Sequence, residues 1–254
     1  MLKAINAVIV LYLLAPIIVV VATAFTATAY PVFPPQGFTL RWFEKFLATP
    51  EFVESIRISA MLATASTFIA AMLGTSSALA LARFHIPGKA TISALLLSPI
   101  LFPTIVLGLA LLVFSTKIGL SGTFANLVCG HVVLITPFVI RMVMVSLAQF
   151  DPAVEEAARN LGAGRWRTFI RITLPLIRPG VLAGSVFAFI ISFDELVVTL
   201  FLTAPGLQTL PIRIYTYVEY SSDPTISAIS TVLIATWLII GLPAYARFLS
   251  VRHP

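Results

Sequence analysis

The chain has 254 residues, 59% of them hydrophobic and 10% charged, with a formal charge of +6. Soluble domains run at about 25% charged, so the composition excludes a soluble globular protein and describes an integral membrane one. A single cysteine, Cys129, excludes any disulfide within the chain and, inside an apolar run, reads as a small hydrophobe.

Six apolar runs are each long enough to cross about 30 Å of hydrocarbon. They are continuous rather than alternating, which predicts helices and not barrel strands. The first covers residues 5–29. Lys3, the apolar stretch and Ala27-Thr28-Ala29 imitate a signal peptide. The run is longer than a signal core of roughly 7–15 residues, however, and is read as the first span. In the segment PVFPPQGFTLRWFEKFLATPEFVESIR, Pro31, Pro34, Pro35 and Gly37 stop the helix. Trp42, Phe43, Phe46, Leu47 and Phe52 then predict short amphipathic helices at the membrane interface. Their simplest role is a lid anchored to the headgroups; the alternative is a docking surface for a partner outside the cell.

The second span, 58–82, turns through RFHIPGK into the third, 90–114. In SPILFP of the third span, Pro99 and Pro103 each remove a backbone donor and predict kinks. The fourth span, 124–146, holds His131, for which a helix–helix hydrogen bond is the default, and Arg141, read as snorkelling to headgroups. The fifth and sixth spans are 179–202 and 226–249. No internal repeat is evident.

Six spans put both termini on one side of the membrane. Ten basic residues share that side: Lys3, Arg83, Lys89, Arg159, Arg165, Arg167, Arg171, Arg178, Arg247 and Arg252. Five lie opposite: Arg41, Lys45, Arg57, Lys117 and Arg213. This bias predicts cytoplasmic termini. Glu44, Glu51, Glu54, Glu219 and Asp223 cancel the outer basics, while only Asp151, Glu155 and Glu156 oppose the inner ones. The excess charge is therefore a topology signal facing anionic lipid, not a nucleic-acid patch.

The loop DPAVEEAARNLGAGRWRTFIRITLP between the fourth and fifth spans is far more elaborate than a connection requires. Asp151-Pro152 predicts a helix start, with Glu155 and Glu156 suited to its N-terminal dipole. The helix 152–161 is expected to stop at Gly162, and a second, 165–173, to be halted by Pro175. Ala157 and Ala158 present almost no side chain, which suits close approach by a partner's groove.

Glu156-Ala157-Ala158, then Gly162, Ile172 and Leu174-Pro175 at this spacing, resembles the EAA loop of ABC-importer permeases. QGFTLRWFEKF, SFDELVVTLFL and TLPIRIYTYVEY with DPTISAIS resemble the spermidine/putrescine branch of that family. Together these stretches cover most of the chain. The resemblance implies an all-α integral membrane protein with the six-transmembrane-helix fold of type I ABC importers, a single permease domain over 1–254 with a coupling-helix hairpin at 151–175. It implies a second homologous permease, two copies of a cytoplasmic ATPase that each receive one EAA loop, an extracytoplasmic solute-binding protein, and a bacterial inner membrane. The coupling residues it implies are Glu156, Ala157, Ala158, Gly162, Ile172, Leu174 and Pro175, with Gly162 as pivot of a two-state transition. ATP and Mg would belong to the ATPase subunits. This chain has no GxxxxGK[ST] sequence and is not expected to hydrolyse ATP itself; the resemblance implies a non-catalytic subunit with no cofactor of its own.

Asp194 and Glu195 are the only acids within a span. Counted from Gly180 they lie roughly 20 Å into the membrane. An ionisable group there must face protein or water. Glu195 shares a face with Gly184, Ala188, Ser192 and Thr199; Asp194 shares one with Phe187, Ile190, Val198 and Phe201. Glu195 and Ser192 are therefore candidates for lining a pathway for a small cationic solute, with Asp194 as gate or structural partner. Outside, Tyr215, Tyr217, Tyr220 and Glu219 offer the aromatic faces and carboxylate that an ammonium group favours, though such tyrosines are also routine belt residues. His85, His131 and His253 show no metal-ligand spacing.

The leading expectation is thus a permease subunit importing spermidine, putrescine or a related cation. The same machinery could carry another small solute such as an amino-acid derivative. A stand-alone channel or secondary carrier built on Asp194 and Glu195, or an intramembrane enzyme, would leave the hairpin without a purpose, and no inverted repeats are apparent.

Overall fold

The computed structural model describes residues 2–149 and 151–250, the side chains of Ile240 and of 242–250 excepted. Arg252 and His253 of the charge and histidine inventory, and the side chain of Arg247, lie outside the described residues. Every regular element among the described residues is a helix. Contacts divide the chain into two units, Met1–Glu54 with Arg213–Pro254 and Ser55–Ile212.

In the first unit, α1 (Leu2–Thr23) is apolar on all sides and almost wholly exposed within the chain, as a helix facing lipid must be. The amphipathic helix α2 (Arg41–Ala48) forms where the sequence predicts it. Its Trp42 and Phe46 are buried, and Trp42 Nε1 donates to the Thr26 carbonyl at 2.8 Å. The unit closes with α12 (Thr225–Ser250), which packs beside α1 and α2; Thr23 donates to Ser227 at 3.1 Å.

The second unit begins in α3 (Pro50–Arg83), whose 34 residues extend well beyond the predicted second span. The predicted third span is broken rather than kinked. Its first half, α4 (Lys89–Leu97), runs into a 3-10 turn at Ser98–Ile100, and its second half, α5 (Thr104–Lys117), leaves at 104° to the first. Pro99 and Pro103 explain the break. Neither can donate to the preceding turn, Leu101 bonds back to Ser98 instead, and Pro103 is extended as it starts α5.

The centre of this unit is α6 (Phe124–Ala148), the long helix with the largest buried share. The short helix α7 (Ala153–Asn160) follows, and then α8 (Arg165–Thr168). Pro175 does not halt this second helix, contrary to expectation. A π-helical turn, Phe169–Thr173, carries α8 straight into α9 (Leu174–Asp194), so that Arg165–Asp194 is one apolar helix of 30 residues. The wider turn ends immediately before Leu174, and Pro175 follows directly after it, where the widened backbone admits its ring. The predicted fifth span is in turn interrupted after Asp194 and resumes as α10 (Val197–Leu202). The remaining helix, α11 (Leu210–Tyr220), precedes α12.

Since lipid is as apolar as leucine, helices here associate through close fit rather than hydrophobic burial. Small residues supply that fit. A Cβ on Gly184 would lie 3.0 Å from the Cα of Val139 on α6, and one on Gly180 would meet the Met142 carbonyl at 2.6 Å. Among the described residues, four helices (α1, α3, α6 and Arg165–Asp194) are long and apolar enough to cross a membrane, and the bent α4–α5 pair would make a fifth.

Candidate functional site

The loop before α9 forms from the features its sequence carries. Asp151 Oδ1 accepts the Ala153 amide at 2.9 Å and caps α7. At the other end Gly162 has φ +87°, and the amides of Leu161, Gly162 and Ala163 bond back to carbonyls of α7. Glu156, Ala157 and Gly162 are exposed and Ala158 half-buried, so the small-residue face is presented outward. Leu161 and Trp166 flank it at 89% and 72% exposure, an apolar rim on an otherwise polar loop. Leu174 and Pro175 are exposed and Ile172 half-buried.

The acid that faces inward is Glu155, not Glu156. Its Oε1 accepts the Thr173 hydroxyl at 2.6 Å and faces Arg83 at 3.1 Å, while Arg159 stands 3.9 Å from Oε2. The carboxylate thereby ties α7 both to the end of α3 and to the π-turn that leads into α9. Adjacent residues of a helix point about 100° apart, so the two neighbouring acids face different ways; nothing in the spacing said which would be inward.

The second polar centre lies at the interruption between α9 and α10. Glu195 is in an extended conformation (φ −72°, ψ 115°) between α9 and α10, and its Oε1 accepts the Val198 amide at 2.8 Å. The carboxylate therefore caps the helix that restarts after it. Thr199 donates its hydroxyl to the Glu195 carbonyl at 2.8 Å. His131 of α6 is fully buried, with Nδ1 2.8 Å from Ser192 Oγ and Nε2 3.0 Å from Thr199 Oγ1. The helix–helix hydrogen bond expected of His131 is present, and doubled. Ser192 is buried with Gly180, Gly184 and Ala188 against α6, so the small stripe is a packing face within this chain. Asp194 is exposed and Glu195 half-buried.

A third polar group lies in the first unit. Tyr217 donates to Asp223 Oδ2 at 2.9 Å, and Lys45 Nζ lies 2.6 Å from the same oxygen. The Lys45 ammonium is also 5.7 Å from the Tyr217 ring centre and 5.9 Å from that of Trp42. The hydrogen bond to Asp223 raises the Lys45 pKa. For Asp223, burial pushes the carboxyl up, but hydrogen bonds from Lys45, Thr225 and Tyr217 outweigh it and hold the pKa at about 2. Tyr215 and Glu219 are exposed one turn apart, and the hydrogen bond to Glu219 raises the Tyr215 phenol. The aromatic-plus-carboxylate group anticipated here thus gathers on Asp223 and encloses the chain's own Lys45. No cluster of metal-ligating side chains occurs among the described residues.

A family model described as "Binding-protein-dependent transport system inner membrane component" matches residues 70–250. The spermidine/putrescine transport system permease protein PotC of Escherichia coli (strain K12) is 32% identical over 228 residues, 90% of this chain and 86% of its own length. The putrescine transport system permease protein PotI of the same strain is 30% identical over 241 residues, 92% and 85% of the two chains. Among solved structures, a chain of a bacterial ABC transporter involved in import of the acidic polysaccharide alginate superposes with TM-score 0.75 at 16% identity. That match covers 97% of this chain and 94% of the other.

Proposed function

The chain belongs to the binding-protein-dependent transport system inner membrane components, and from that premise we propose that it carries a small polycation such as spermidine or putrescine. It is a multi-pass permease subunit of an ATP-binding-cassette importer, working with a separate ATPase and a solute-binding protein. In this reading it pairs with a second, homologous permease above two ATPase copies. Counting α4–α5 as one span and α12 as the last, it crosses the membrane six times with both termini cytoplasmic.

The substrate class rests on Glu195. A carboxylate within an apolar span costs about 2.5–3.5 kcal/mol on insertion scales, and this one sits where the helix is interrupted, the arrangement in which membrane helices expose groups to a passing ion. Only one of its oxygens is engaged by the cap; Oε2 has no hydrogen bond among the described residues. Asp194 stands beside it on the exposed side and adds a second negative charge. Tyr215, Tyr217 and Glu219 of the first unit are further candidates for meeting the cation, and Ser192, on α9, lies three residues before Glu195. Glu156, Ala157, Ala158 and Gly162 make the ATPase contact, with Ile172, Leu174 and Pro175 continuing it into α9.

Uptake of labelled spermidine by the complete transporter in proteoliposomes tests the reading. Wild type accumulates spermidine with ATP, and Glu195→Gln at equal assembly loses most of that uptake. Undiminished uptake by Glu195→Gln, or no ATP-dependent polyamine uptake by the wild type, would overturn it.

A further inference from the structure

We infer that His131 is a positioning residue for transport: it staples α9 and α10 together across the interruption and so sets where the Glu195 carboxylate points. The inference rests on the proposed role of Glu195 in the pathway and extends it to a residue outside that pathway.

The hydrogen bonds define the device. Ser192 lies three residues before Glu195 and Thr199 four residues after it, and one imidazole reaches both, at 2.8 and 3.0 Å. Thr199 has a single hydroxyl proton, already given to the Glu195 carbonyl at 2.8 Å. Its oxygen must therefore accept from His131, which places a proton on Nε2. In the neutral ring Nδ1 is then an acceptor, and Ser192 donates to it. The network assigns the tautomer, and each of the three side chains uses its donor once.

The geometry couples this chain of bonds to Glu195 at two points. The Glu195 carbonyl is held by Thr199, and its carboxylate by the Val198 amide one residue earlier. Backbone carbonyls left over at the end of α9 and amides at the start of α10 find no water in hydrocarbon, so an interrupted helix needs partners supplied by its neighbours. Here the segment's own side chains supply them, Thr199 to the Glu195 carbonyl and the Glu195 carboxylate to the Val198 amide, and His131 anchors Thr199 and Ser192 from α6, itself immobilised with 0% exposure. Close packing fixes the α10 side as well, because a Cβ on Gly130, the residue before His131, would collide with Leu202. His131 never reaches a solute. It determines the direction of the side chain that does.

The test is a double-mutant cycle on the complete transporter, reading KM and maximal rate of spermidine uptake in proteoliposomes. His131→Leu is expected to raise KM by roughly tenfold while assembly and ATPase rate stay near wild type. His131→Gln, which can offer both a donor and an acceptor, should recover much of the loss. Thr199→Val removes one arm without altering the ring and should reproduce part of the defect, which keeps the inference testable if His131→Leu assembles poorly. If His131 acts through Glu195, adding His131→Leu to Glu195→Gln raises KM no further. Equal KM effects of His131→Leu in the two backgrounds, or a wild-type KM in His131→Leu and Thr199→Val, would overturn the inference and leave the role of Glu195 standing. A wild-type KM in Glu195→Gln itself would instead remove the pathway reading, and this inference with it.

Discussion

Glu155 and Arg83 meet at 3.1 Å across 72 residues of chain, and Thr173 completes the contact at 2.6 Å on the same carboxylate oxygen. Three segments therefore converge on one side chain: the outward-facing helix α7, the end of the long helix α3, and the π-turn that starts the α9 run. A push on α7 is thus passed through it to two membrane helices. Burying a carboxylate is costly unless it is paired, and here both pairing and hydrogen bonding are supplied. Glu155→Ala should destabilise the chain by about 2–3 kcal/mol and lower uptake more than ATP hydrolysis, an uncoupling. Glu156→Ala, at an exposed neighbour, should leave thermal stability in detergent unchanged and affect only ATPase docking. Equal melting temperatures for the two variants would refute the division of labour between these acids.

Gly162 offers a different kind of sensitivity. A Cβ there would touch nothing within 4 Å, yet φ is +87°. Substitution is penalised by the backbone and not by crowding. Gly162→Val should cost about 1–2 kcal/mol in the loop and misalign α7. Gly162→Asn should cost less, because asparagine tolerates the left-handed region. Measuring spermidine uptake per ATP hydrolysed in the two variants checks the ordering; a better ratio for valine than for asparagine would contradict it.

The Lys45–Asp223 contact makes the first unit sensitive to pH. The Asp223 carboxyl is lowered from its ordinary 3.8 to about 2, so its stabilisation is complete above the ordinary value and is lost as pH falls through about 2. Lys45 is raised, so its share is present below 10.5 and is lost only as pH climbs beyond that through the raised value. Between these limits α2 stays held to Asp223. Trp42, packed beside Lys45, reports it. With Trp166 and Trp237 replaced by Phe, the Trp42 emission should shift between pH 4 and about 2 in the parent. In Asp223→Asn it should already be shifted at pH 7. An identical pH profile in both would show that the contact does not hold α2.

What was legible in the sequence was the apolar content of each helix, the amphipathic α2, and the start and stop of α7, because Asp151-Pro152 and Gly162 act through local backbone chemistry. Other features depended on partners distant in the chain. Pro99 and Pro103 announce lost hydrogen bonds, but only the neighbours decide between a kink and a bend of 104°. The interruption at Glu195 carries no glycine or proline to announce it. It exists because a carboxylate caps Val198 and because His131, on another helix, satisfies Ser192 and Thr199. Pro175 signals a stop that a π-turn absorbs. Glu155 and Glu156 are alike in sequence, and only Arg83 and Thr173 distinguish them.

The small stripe on α9 is the last case, since small residues suit both an open pathway and a close helix contact. The structure places Gly180 and Gly184 in the contact. At Gly180 a Cβ would meet the Met142 carbonyl at 2.6 Å and press on Ser146, and a backbone carbonyl cannot move aside as a flexible side chain can. At Gly184 the nearest atom would be the Val139 Cα at 3.0 Å, a tighter approach than most Cβ atoms tolerate. Gly180→Val should therefore separate α9 from α6 and destabilise the chain by about 1–3 kcal/mol, with Gly184→Ala at the lower end. Leu182, between them on the exposed side, should accept alanine with little effect in lipid, where lost surface is replaced by acyl chain. Thermal unfolding of the three variants in the same detergent checks the ordering. Because His131 reaches Ser192 across this contact, Gly180→Val should also raise the KM for spermidine, whereas Leu182→Ala should not. If Leu182→Ala proved the more damaging of the two, α9 would have to pack through its other face.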